Sequence, residues 1–260
     1  MRARAGAESQ MHQQRADESL QGTLSWAIER MREGGYVVRS PVRLSVDSKL
    51  GIMGYAKNEG DGHTIVISEW ALDSEMLGGL VLHELAHVYF ADMGAHSHDR
   101  EILDEVLKEM AERDGMRAKE IECLMDSFNH LQNVLVDDIV FDVLQEREQD
   151  KVKRFFSEWV SEKPSGDPVL DAALLCRNAF ATASLKRRNL YDDTADMRYR
   201  TDEFLSALGK HAEQEFQWVE GFLEKSSSAW DETEYRKALS EYFERILSLM
   251  RSSSKMHDLR

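Results

Sequence analysis

The stretch VLHELAHVYF at residues 81–90 decides how the rest of the chain is interpreted, because it places two histidines four residues apart in an apolar run. At 3.6 residues per turn, His83 and His87 project from one face of a helix, one turn apart. Two imidazoles in that arrangement can bind one zinc ion. Glu84 follows His83, so its carboxylate can take a proton from a zinc-activated water without coordinating the metal. The stretch therefore predicts a zinc site with His83 and His87 as ligands and Glu84 as general base.

A zinc site needs a third protein ligand, and the segment His130–Asp142 is the best place to seek it, because acidic residues interrupt an apolar run there. Asn133 and Asp137 lie four residues apart and share a helical face, as do Asp138 and Asp142. Either pair can supply a carboxylate ligand and a neighbouring group that orients it. The residues leave the choice between Asp137 and Asp138 open.

His96 and His98 are the other candidates for the third ligand, because they follow the motif closely in the sequence. They lie in residues 94–98, which carry no helical pattern and therefore predict no fixed geometry. The metzincin pattern requires glycine at position 90 and histidine at position 93, where this chain has Phe90 and Met93. We therefore expect the ligand on the later acidic helix, with His96 or His98 taking its place only if that helix is merely structural.

The patterns around the motif predict a mainly helical (α+β) protein. An amphipathic helix from Leu20 ends at Gly34-Gly35, and the motif helix runs from a cap at Asp73 or Ser74 to about Met93. Three short strands are predicted between these helices, in residues 42–46, 52–56 and 63–68, with a hairpin turn at 58–62. Further helices are predicted at 99–114, 117–149, 151–161, 168–186, 200–225 and 230–250. The expected fold is a small N-terminal β-sheet or hairpin over the motif helix, followed by an all-helical C-terminal half.

The division into domains follows from Pro164–Pro168, the clearest internal boundary in the sequence. We predict that residues 1–19 are disordered, that residues 20–163 form the core that carries the motif, and that residues 164–260 form a helical subdomain.

Composition and charge exclude several classes of function. The 260 residues include 48 acidic and 33 basic side chains, so the net charge of −15 disfavours a surface that binds nucleic acid. No apolar run is long enough to cross a membrane, and the N-terminus lacks the apolar stretch of a secretory signal. Cys123 and Cys176 form no CxxC pair and are expected to be buried free thiols. We therefore expect a cytoplasmic protein that binds neither nucleic acid nor membranes.

On the residues His83-Glu84-Leu85-Ala86-His87 and a later helical acid, the sequence resembles the zincin-type metallopeptidases, nearest their gluzincin branch. The string Asn133-Val-Leu-Val-Asp137 is similar to an element of the bacterial metallopeptidases associated with MoxR-type ATPases and von Willebrand A proteins. The resemblance covers about residues 40–145 and departs from the gluzincin pattern at the third ligand, where those enzymes have glutamate and this chain offers only aspartates.

The resemblance implies a zinc-dependent hydrolase, a protease acting on a protein or peptide substrate. It implies that His83, His87 and Asp137 are ligands, with Asp138 as the alternative, and that Asn133 or Asp142 supports the ligand from behind. It further implies that the edge strand of the Ile52–Ser68 hairpin pairs with extended substrate, and that an AAA+ or von Willebrand A protein is a partner. A zincin-fold module that binds peptide or senses a signal without turnover is the alternative function.

Overall fold

The computed structural model describes residues 19–144, 146–191 and 196–257, and it confirms a mainly helical fold with a small β part near the N-terminus. The segment predicted to be disordered, residues 1–19, lies outside the described residues except for Ser19. The described residues form two compact units. The first unit runs to Met93 and includes Asp142–Leu144, and the second contains the remaining residues from Gly94 onward.

The first unit contains helix α1 (residues 19–33) and three strands, β1 (Val42–Asp47), β2 (Gly54–Asn58) and β3 (His63–Ser68), followed by helix α2 (Leu77–Asp92). The sheet has the order β1-β3-β2. Strand β1 is parallel to β3 and β2 is antiparallel to it, so β2 lies at an edge. All six residues of β3 are buried, as expected for the central strand.

Helix α1 forms because Leu20, Leu24, Ala27 and Met31 recur at helical spacing, and all four are buried. The helix ends at the predicted glycines, where Gly35 takes a φ of +88°. Residues Asp142–Leu144 pack in this region. Arg30 donates to the carbonyl of Val143 at 2.7 Å, and the hydroxyl of Tyr36 donates to Asp142 at 2.7 Å.

The motif helix α2 begins later than predicted. The residue before it is Met76, which makes no side-chain cap, so the predicted cap at Asp73 or Ser74 was wrong. A 3-10 helix at Glu69–Ala71 is followed by a turn. In this turn the Ser74 hydroxyl accepts the backbone N–H of Met76 instead of capping α2.

The C-terminal end of α2 is fixed to the sheet by Asp92. Its carboxylate accepts the backbone N–H groups of Arg39 and Ser40, and also the hydroxyl of Ser40. Nε2 of the buried His63 on β3 lies 3.5 Å from the same carboxylate. Burial alone would raise the pKa of Asp92, but the hydrogen bonds from Ser40 and Arg39 together lower it. This network sets the position of β3 along the motif helix.

The regular secondary structure of the second unit is helical in the residues that the structure describes. The helices are α3 (Arg100–Asp114), α4 (Ala118–Val143, whose last two residues belong to the first unit), α5 (Glu146–Trp159), α6 (Pro168–Lys186), α7 (Asp196–Leu208), α8 (Lys210–Lys225) and α9 (Glu232–His257).

Several helix boundaries in the second unit differ from the prediction. The single helix expected at residues 200–225 is two helices, because Gly209 adopts a φ of +93° that residues other than glycine rarely take. The helix expected at 117–149 ends at Val143, and α5 already begins at Glu146.

One further expectation is met. Cys123 and Cys176 are buried free thiols. In the part of the chain that the structure describes, no helix is both long and apolar enough to cross a membrane.

Candidate functional site

The two motif histidines lie where the sequence places them, on one face of α2. Their ring centroids are 5.0 Å apart, and the ring planes meet at 73°. Both side chains are half-buried, whereas their neighbours Leu82, Leu85 and Ala86 are completely buried. The apolar residues therefore fix the rotation of the helix, and this rotation presents both imidazoles together.

Glu84 is on the same helix and is only 5% exposed. Burial raises the pKa of its carboxyl group, while the charge of His83 and a hydrogen bond from the backbone N–H of Ala56 oppose part of that shift. Ala56 lies in the edge strand β2, opposite Ile65 of β3. The carboxylate is thus held between its own helix and a backbone N–H of the sheet edge.

The two aspartates predicted as alternative third ligands have different surroundings in the second unit. Asp137 is buried and accepts the hydroxyl of Ser184 at 3.2 Å. Asp138 forms an ion pair with Arg187, and a second with Arg188 at 3.2 Å. A carboxylate neutralised by two guanidinium groups is a poor metal ligand, because the cation would have to displace both. The contacts of Asp138 therefore favour Asp137.

The two residues predicted to support the third ligand, Asn133 and Asp142, belong to different units. Asp142 is exposed and belongs to the first unit, where it accepts the hydroxyl of Tyr36. Asn133 is half-buried on α4 in the second unit. Asn133 and Asp137 thus lie within one unit, whereas Asp138 and Asp142 do not.

His96 and His98 occupy an ordered 3-10 turn, His96–His98, rather than an irregular loop. The hydroxyl of Ser97 lies 2.9 Å from Nδ1 of His98, and the side chain of Gln132 donates to the carbonyl of Ser97 at 2.7 Å. These contacts explain the local order and give the turn a structural role.

The donor types of the site fit zinc, because two imidazoles one helical turn apart and a carboxylate are ligands that zinc takes in proteins. Within residues 19–144, 146–191 and 196–257, however, no three histidine, cysteine, aspartate or glutamate side chains form a group that could hold a metal ion. The pair His83 and His87 thus fits two ligand positions, and Asp137 stays a prediction for the third.

Two contacts near the predicted residues could not be found by inspecting the motif. The N–H of Ala56 carries no signal of its own in the sequence. Arg187 belongs to the basic cluster Lys186-Arg187-Arg188, and such a cluster is ordinarily solvated or caps a helix. It does cap one, because it also donates to the carbonyls of Glu224 and Ser226 at the end of α8. The same cluster that marks a helix end therefore also engages Asp138.

Comparison with known proteins gives a family but no activity. No curated protein and no solved structure matches the chain. The family of unknown function DUF5781 matches residues 26–246, which include most of both units and every predicted site residue. The chain therefore belongs to the DUF5781 family.

Proposed function

We propose that this protein is a zinc-dependent peptidase that hydrolyses peptide bonds in a protein or peptide substrate. The observation that carries the proposal is the buried carboxylate of Glu84 beside two half-buried imidazoles on one helix. An ordinary helix seldom buries a glutamate without an arginine or lysine partner, because desolvation of the charge is unfavourable. Such an arrangement is typical of catalytic sites, where burial tunes the pKa of a base.

Glu84 has the properties of a general base for hydrolysis. Because burial raises its pKa, the carboxylate binds a proton more readily at neutral pH than an exposed glutamate does. It can take a proton from the attacking water and pass it to the leaving amine. The N–H of Ala56 restricts the carboxylate to one orientation.

His83 and His87 are the proposed zinc ligands, with Asp137 as the proposed third. A bound zinc ion would act as a Lewis acid on the scissile carbonyl and lower the pKa of water. Asp138 is less suitable than Asp137, because Arg187 and Arg188 already neutralise it.

The edge strand supports a peptide as the substrate. Strand β2 lies at an edge of the sheet, and its Ala56 contacts the proposed base. An extended peptide that adds to a sheet edge is held by main-chain hydrogen bonds, which suits a protein substrate of varied sequence. A cytoplasmic location, and a partner of the MoxR ATPase or von Willebrand A kind, are further parts of the proposal that rest on the sequence.

The test compares wild type with Glu84→Gln on a peptide library prepared from a cell lysate, with zinc content measured in parallel. The amide keeps the size of the carboxylate but cannot accept the proton, so turnover should fall by at least about a hundredfold while zinc is retained. Glu69→Gln, an exposed acid in the same unit, is the control and should cleave like wild type.

Three outcomes would contradict parts of the proposal. Identical cleavage by wild type and Glu84→Gln would exclude Glu84 as the base. Absence of cleavage by wild type loaded with zinc would favour a zincin-fold binding module. Equal zinc content in wild type and His83→Ala would exclude the metal site itself.

A further inference from the structure

One half-buried arginine of the second unit differs from the others in its partners. Arg177 on α6 is half-buried. The other half-buried arginines in the described part of the chain each pair with a carboxylate: Arg30 with Glu33, Arg187 and Arg188 with Asp138, Arg200 with Asp196, Arg236 with Glu232, and Arg251 with Glu120.

Among the described residues, Arg177 has no such partner. It donates one hydrogen bond, to the hydroxyl of Ser161, while its Nε is buried and unpaired. Burial lowers the pKa of Arg177, which is the expected effect of a charge without a counterion. The chain has an excess of fifteen acidic side chains, so the missing carboxylate does not reflect a shortage of acids.

A second unpaired nitrogen belongs to His130, which is close enough to Arg177 to be affected by its charge. The ring of His130 on α4 stacks on Phe180, with centroids 5.1 Å apart, and Phe180 is one helical turn after Arg177 on α6. Within the described residues, Nδ1 of His130 is buried without a hydrogen-bond partner. Burial, with the nearby charge of Arg177, lowers the pKa of His130 to about 4, so the ring is neutral at physiological pH.

Hydrogen bonds and ring packing position the residues around Arg177. The side chain of Asn178 bonds both backbone groups of Ser161, which fixes the hydroxyl that Arg177 contacts. Trp159 at the end of α5 packs near Phe180, and their ring centroids are 6.1 Å apart. The donors are therefore positioned without a ligand, which lowers the entropic cost of binding one.

We infer that Arg177, Ser161 and His130 form a binding site for an oxyanion, a phosphate or a carboxylate group of a small ligand. A guanidinium presents its N–H groups in a planar fork that matches either anion. With the ring proton on Nδ1, His130 can donate as well. A bound oxyanion supplies the counterion that Arg177 lacks and the partners that the two buried nitrogens lack.

The experiment follows the imidazole resonances of His130 by NMR while inorganic phosphate, or in a separate arm acetate, is added to the full-length protein at pH 7 and constant ionic strength. The His130 signals are assigned by their loss in His130→Gln. Wild type should show a saturable shift, and Arg177→Gln should weaken the apparent affinity by at least about tenfold. Stronger binding of phosphate would identify a phosphate site, and binding of acetate alone would identify a carboxylate site.

Arg154→Gln is the matched control, because it removes an exposed arginine from α5 in the same unit and should change the affinity by less than about twofold. If Arg177→Gln does not fold, Arg177→Lys keeps the charge but not the fork and should also weaken binding. A shift that does not saturate with either anion, or equal affinity in wild type and the folded Arg177 variant, would overturn the proposal and leave a water-filled polar niche.

Discussion

Two buried glutamates, one in each unit, have opposite electrostatic surroundings. Glu120 at the start of α4 is 1% exposed and accepts hydrogen bonds from Arg251 and from both the side chain and the backbone of Arg117. Burial alone would raise its pKa, but these partners lower it to about 2. Glu84 on α2 is 5% exposed and accepts a hydrogen bond from the backbone N–H of Ala56, and its pKa is raised by burial.

The difference shows what each carboxylate contributes. A buried acid held by arginines stabilises the fold as an ion, and Glu215 with Arg245 repeats this pattern in the second unit. A buried acid whose ionised form is disfavoured does not help folding, so its presence needs another reason. The catalysis that we propose for Glu84 is such a reason.

The largest effect that we expect is on the stability of the second unit. Glu120→Ala should lower the free energy of unfolding by about 3 kcal/mol, because Arg251 and Arg117 lose a buried partner. Urea unfolding at pH 7 measures the change. The control is Glu122→Ala, an exposed acid on the same helix, which should change stability by less than about 0.5 kcal/mol. Equal effects of the two substitutions would remove the structural role of Glu120.

The next effect concerns zinc binding by the two neighbouring aspartates of α4, Asp137 and Asp138. Asp137→Ala should weaken zinc binding by more than about a hundredfold, because loss of a ligand should exceed the usual effect of losing a supporting residue. Asp138→Ala should keep zinc and lose stability, because Arg187 and Arg188 lose the carboxylate with which they form ion pairs. Competition with a chelating dye measures the affinity. The reverse result would make Asp138 the ligand, and unchanged zinc binding in both variants would return His96 and His98 as candidates.

A smaller effect is the pH dependence that Glu120 confers. Its pKa in the folded protein is about 2 instead of 4.5, so the stabilisation is fully present above pH 4.5 and is lost as the pH falls toward 2. Wild type should exceed Glu120→Gln in stability by about 2 kcal/mol at pH 6, and the difference should shrink steadily below pH 4.5. Urea unfolding of both proteins at several pH values measures it. A difference that stays constant down to pH 3 would contradict the assignment.

The smallest effect concerns the two glycines inside α2. A Cβ on Gly79 would meet only the end of the Met76 side chain, at 3.4 Å, whereas one on Gly78 would lie 3.1 Å from the ring of Trp26. Gly79→Ala should therefore stabilise the protein by about 0.5–1 kcal/mol through helix propensity, and Gly78→Ala should gain less. Thermal unfolding of the two variants compares them directly. A larger gain from Gly78→Ala would mean that Trp26 does not restrict this face.

The sequence predicted what local periodicity determines. The apolar run around His83 and the short apolar run around Ile65 give α2 and β3 close to where they lie. The parallel pairing of β1 with β3 depends on contacts between distant residues, and no local pattern encodes it. The break at Gly209 was missed because glycine inside a helical pattern also occurs without a break.

The same distinction holds for the candidate site: local spacing predicted one part of it, and contacts between distant residues determine the rest. Spacing alone places His83, Glu84 and His87 together, because a single helix carries them. The choice between Asp137 and Asp138 was left open, because it depends on Arg187, which is about fifty residues later in the chain. The contact between Glu84 and Ala56 involves a backbone group, and backbone groups are the same at every position.

The inclusion of Asp142–Leu144 in the first unit has a consequence for how the chain folds during synthesis. The ribosome adds residues in order, so α1 and the motif helix emerge first. Arg30 and Tyr36 do not meet Val143 and Asp142 until all of α3 and nearly all of α4 have been made. The unit that carries the motif is therefore completed only after much of its neighbour has been translated. A fragment that stops at Met93 would lack those contacts.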